Sequence, residues 1–134
     1  MNSGTVELQM LFCALALGAI QLLIAVLAGV ATRGMPWAAG PRDVAGAPFG
    51  KIAGRLDRAY WNFLETFPFF AAAVLLIHAA DKSTANSMLG AQIYVWARLL
   101  YIPAYVIGVP FARTLVWVAS FVGILMVMSA YWPG

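Results

Sequence analysis

Charged side chains are scarce in this chain. Only 10% of its 134 residues are Asp, Glu, Lys or Arg, against about 25% in an ordinary soluble domain. Hydrophobic residues make up 63%, and so short a chain has too little interior to hide them from water. A water-facing globule is excluded, and a bilayer is the solvent that fits. Cysteine is nearly missing as well. Cys13 stands alone, which rules out an internal disulfide. Its place inside an apolar run reads as a small packed or lipid-facing residue, not a nucleophile. His78 is the single histidine and reads as a packed or snorkelling side chain, so no metal site is expected. Internal repeats are lacking too. No basic cluster with interleaved aromatics lies away from the membrane-flanking positions, so the net charge of +3 needs no nucleic acid.

Long apolar runs are what the chain has. Four stretches reach the roughly 20 residues that a helix needs to span a bilayer. They run from about Leu8 to Ala31, Ala59 to Ala80, Met88 to Gly108 and Thr114 to Trp132. Backbone groups in lipid must be satisfied within the segment, so each stretch should be a helix. The runs are too long, and alternate too little, for membrane strands. The expectation is an all-α integral membrane four-helix bundle, with residues 1–134 as one domain. The first stretch reads as a mature helix. Its apolar run is longer than a signal core, and no basic residue precedes it.

The connections carry the topology. Residues 34–54 are rich in Gly, Pro and Ala and read as irregular loop. Loops of that length are often functional. Arg33, Arg42, Lys51, Arg55 and Arg58 lie in or beside this first loop, and Arg113 lies at the third, whereas Lys82 alone marks the second. The positive-inside rule places the first and third loops in the cytoplasm and both termini on the opposite side. Trp37, Trp117, Tyr131 and Trp132 lie near span ends, where amphipathic rings prefer the headgroup level.

Two polar stripes interrupt the apolar runs. Arg55, Arg58, Asn62 and Glu65 fall within about 80° of one face of the second helix. A carboxylate inside a span is costly and usually faces a bundle interior or a water-filled cavity. Pro68 follows and can kink the helix. On the third helix, Tyr94, Arg98, Tyr101 and Tyr105 share a stripe of about 60°. Arg98 needs a partner, and Glu65 is the obvious candidate, within one subunit or across an interface. The stripes offer cations for carboxylates, a carboxylate for an amine, and neutral groups for amides. That inventory suits a small zwitterionic peptide. The bare pattern also admits a purely structural Arg98–Glu65 ion pair with tyrosines packed at an interface, and Arg55 and Arg58 as topology signals.

At these residues the sequence resembles the MAPEG superfamily, the membrane-associated proteins of eicosanoid and glutathione metabolism. The matching runs are Arg58-x-x-x-Asn62-x-x-Glu65-x-x-Pro68 and Ala97-Arg98-Leu-x-Tyr101-x-x-x-Tyr105. Length, spans and the long basic first loop agree, so the resemblance covers essentially the whole chain. It is nearest to the short bacterial members, which share the look of Gly40-Pro41-Arg42-Asp43.

The resemblance implies a homotrimer in the bilayer, in a bacterial inner membrane. It implies glutathione as co-substrate between neighbouring subunits and a hydrophobic electrophile entering from the lipid. Arg58, Asn62, Glu65, Arg98, Tyr101 and Tyr105 would hold glutathione. Arg113 would activate its thiol, and Arg33 sits where several members place another active-site arginine. The implied activity is that of a glutathione transferase, with glutathione peroxidase chemistry beside it. Two positions depart from the eicosanoid-forming members: Thr66 stands where several have tyrosine, and Tyr60 replaces a smaller polar residue. They turn the expectation toward generic lipophilic electrophiles. A non-catalytic membrane subunit on the same scaffold is the alternative reading. A small multidrug transporter fits less well, because its essential carboxylate commonly lies in the first helix, and here that helix has only Glu7 at its start.

Overall fold

The computed structural model describes residues 4–133. Every regular element among them is a helix: α1 (Gly4–Arg33), α2 (Met35–Ala39), α3 (Lys51–Ala79), α4 (Ala85–Ile107) and α5 (Ala112–Ser129). Three of these are long and apolar enough to cross a membrane, namely Val6–Arg33 within α1, Lys51–Ala79 and Ala112–Ser129. They mark a membrane protein. α4 falls outside that set, because Gln92, Arg98 and three tyrosines dilute its apolar run.

Helix extents differ from the sequence expectation in one instructive place. α3 begins at Lys51 rather than near Ala59. Hydropathy marks the depth of the membrane, whereas the helix continues through its basic, amphipathic approach. The first loop is also less irregular than its composition suggests, since it starts with α2, nucleated by Pro36 in its first turn.

The long helices pack side by side, with α4 against α1, α3 and α5. α4 and α5 approach most closely where Gly90 faces Gly123. A Cβ at Gly123 would stand 2.6 Å from the Gly90 carbonyl oxygen, so no larger residue fits without separating the helices. The core gathers Leu11 and Ala14 from α1, Phe70, Val74 and Ile77 from α3, Tyr94 from α4 and Ile124 and Val127 from α5. Beside it, the buried Glu7 carboxylate accepts from Ser83 Oγ at 2.6 Å and Ser87 Oγ at 2.5 Å, tying α1 to the start of α4. That start is closed by a reciprocal cap between Thr84 and Ser87. The outer faces stay apolar and exposed, as at Leu23, Leu27, Leu100 and Leu115. Those faces suit lipid or a neighbouring subunit.

Candidate functional site

Arg58, Asn62 and Glu65 stand on successive turns of one α3 face, as their spacing requires. Arg58 and Glu65 are exposed and Asn62 is half-buried. From α4, Tyr105 turns toward them. Arg58 Nε donates to the Tyr105 hydroxyl at 3.0 Å. Arg113, in the first turn of α5, lies with its guanidinium carbon 5.0 Å from the centre of the same ring. Tyr105 therefore serves two cations, one through its oxygen and one through its π face. Tyr101 lies one turn earlier, its ring 5.7 Å from that of Tyr105.

Two open cavities meet at Arg113. One, of about 310 Å³, is lined by Asn62, Glu65, Tyr101, Arg113, Thr114 and Trp117. The other, also about 310 Å³, has Arg55, Arg58, Tyr105 and Arg113 in its wall. The first offers a carboxylate and an amide. The second offers three guanidiniums and no acid. Asn62 Oδ1 is buried without a hydrogen-bond partner, which leaves an acceptor free. Together the cavities match the charge pattern of a small zwitterionic peptide.

Arg98 keeps to the α4 stripe of Tyr94 and Tyr101 but is turned into the protein. It is 1% exposed, lines neither cavity, and stacks 4.3 Å from the centre of the Tyr101 ring and 5.9 Å from that of Phe63. Its Nε and Nη1 are buried and unpartnered, so no hydrogen-bonded pair with Glu65 is made within one chain. Helix geometry explains this. Phe63 and Thr66 are buried on the α3 face against α4, and Glu65, two residues from Phe63, points about 200° away from it. Arg98 thus backs the Tyr101 ring from inside the protein.

Arg33 is also apart. Its Nε donates to the Ala47 carbonyl at 2.9 Å. Its guanidinium lies 4.8 Å from the Trp37 ring and 4.3 Å from that of Phe49. It lines a cavity of about 440 Å³ with Trp37, Arg42, Phe49, Asp57, Tyr60 and Trp61. No residue of that wall is shared with the two Arg113 cavities. His78 is exposed, and no group of three or more His, Cys, Asp or Glu side chains converges among the described residues.

Several contributors escaped the sequence reading. Trp117, whose place near a span end suits an interfacial ring, lines the Glu65 cavity and stacks on Phe121 at 5.5 Å. Its place four residues after Arg113 was the available signal, since that spacing shares a helix face. Thr66, noted only as a departure, shares a buried hydrogen bond of 3.0 Å with the Tyr94 hydroxyl. Tyr94 in turn stacks on Phe70 at 4.0 Å. This joint locks α3 to α4 just beneath the site.

The sequence model of the MAPEG family matches residues 10–131 of the chain. No curated protein matches it.

Proposed function

The chain belongs to the MAPEG family, and on that premise we propose that it is a membrane-bound glutathione transferase acting on lipophilic electrophiles, with reduction of lipid hydroperoxides as a second use of the same thiolate. The observation that carries this reading is the position of Arg113, in the wall between a cavity with a carboxylate and an amide and a cavity of guanidiniums. Glutathione needs both sets of groups, and its thiol needs a fixed cation.

In this reading Glu65 takes the α-amino group, Asn62 an amide, and Arg58 a carboxylate, with Tyr101 and Tyr105 beside them. Arg98 supports the Tyr101 ring and does not touch the ligand from its own subunit. A thiol of pKa about 8.5 is mostly protonated at neutral pH. A guanidinium stays charged and favours the anion, so Arg113 raises the thiolate share as the proton leaves to water. The sulfur lone pair then forms a C–S bond, and the leaving group departs with its electron pair. With a hydroperoxide, sulfur takes the terminal oxygen, the O–O bond breaks, and the alkoxide is protonated to an alcohol. The sulfenic acid condenses with a second glutathione, giving disulfide and water.

The assembly we propose is a homotrimer of four membrane-crossing helices, in a bacterial inner membrane with the basic loops in the cytoplasm. α4 would cross with the others, since Arg98 is buried while Leu89, Trp96, Leu99 and Leu100 stay exposed. Arg58, Glu65 and Arg113 are exposed on one protomer. Charges beside a bilayer favour protein or water as neighbours, which supports a second copy over this face. Arg33 would then reach glutathione from the adjoining copy rather than its own. Purified protein in detergent should conjugate a generic aryl halide only when glutathione is present. Turnover that ignores glutathione would remove the reading.

A further inference from the structure

We propose that Arg55 is a positioning residue that holds the turn between α4 and α5 in the shape that presents Arg113. The sequence offers Arg55 as a member of the polar stripe or a topology signal beside the first loop, and the structure gives its guanidinium a more specific task. Nη1 donates to the Val106 carbonyl oxygen at 2.7 Å. That carbonyl is in the last turn of α4, where no later helical amide can reach it. A cation there also favours the negative end of the helix.

The chain then turns through Gly108, which adopts a left-handed φ of 77° that a side chain resists. A Cβ at Gly108 would stand 2.9 Å from Arg55 Nη1, so the guanidinium fills the space a larger residue would need. Phe111 also has a positive φ, 68°, just before α5. Two residues later Arg113 reaches back to the Tyr105 ring. Arg55 and Arg58, one turn apart on α3, therefore grip the end of α4 twice, one by its backbone and the other by Tyr105.

The inference rests on Arg113 being the thiol-activating group. The test combines amide hydrogen exchange and steady-state kinetics on the detergent-purified protein. Arg55→Gln should speed exchange over residues 106–113 about tenfold while α1 is unchanged. It should lower kcat for conjugation about tenfold, since small misplacements of a catalytic group are costly. Arg55→Lys, which keeps a donor, should recover much of both. Gly108→Ala should reproduce the defect without removing any charge. Unchanged exchange in the turn, or an unchanged kcat in a parent that turns over, would overturn the proposal. A parent without glutathione turnover would remove the transferase reading instead, and exchange alone would then decide whether Arg55 holds the turn.

Discussion

Arg58 on α3 and Tyr105 on α4 are joined Nε to hydroxyl at 3.0 Å, across 47 positions of sequence. The Tyr105 ring also faces Arg113 of α5. One tyrosine thus couples the residue proposed to hold a carboxylate to the residue proposed to activate a thiol. Tyr105→Phe should keep the ring for Arg113 and free Arg58. A lost hydrogen bond contributes about 1 kcal/mol, so glutathione KM should rise about fivefold with kcat nearly unchanged. Initial rates across a glutathione series measure both.

Arg113→Ala should leave glutathione binding largely intact and lower turnover about tenfold or more, because the cation that favours the thiolate is lost. Calorimetry and aryl halide turnover on the same sample separate the two effects. Unchanged turnover would move thiol activation elsewhere, with Arg33 next in line.

Glu65→Gln should weaken glutathione binding without lowering thermal stability. Glu65 is exposed, and Arg98 is held among rings instead of by this carboxylate. A variant that melts early yet binds glutathione normally would restore the structural ion-pair reading.

Thr66→Val should destabilise the protein by about 1–3 kcal/mol, the usual effect of stranding a buried hydroxyl, here that of Tyr94. Adding Tyr94→Phe should recover part of the loss, because both polar groups are then gone. Melting of the two variants in the same detergent checks the order.

The broad arrangement was legible because its causes are local. Apolar runs of membrane length located the long helices, and period-3.6 spacing placed Arg58, Asn62 and Glu65 on one face. The same rule put Tyr101 and Tyr105 on one stripe. Contacts between helices were harder. The rotation of α3 against α4 decides that Phe63 and not Glu65 meets Arg98, and no spacing within a single helix encodes that angle. The start of α3 at Lys51 was hidden for a different reason, since hydropathy follows solvent and not hydrogen bonding. Arg55 reads from sequence only as a stripe cation or a positive-inside charge, because the Val106 carbonyl it satisfies lies 51 positions away.

The most direct test of the account is glutathione affinity by calorimetry on the detergent-purified protein. The account predicts saturable binding that Glu65→Gln weakens and Arg113→Ala largely spares. No binding at about millimolar glutathione, where a complex would be worth only about 4 kcal/mol, would contradict it and leave the polar stripes as scaffold.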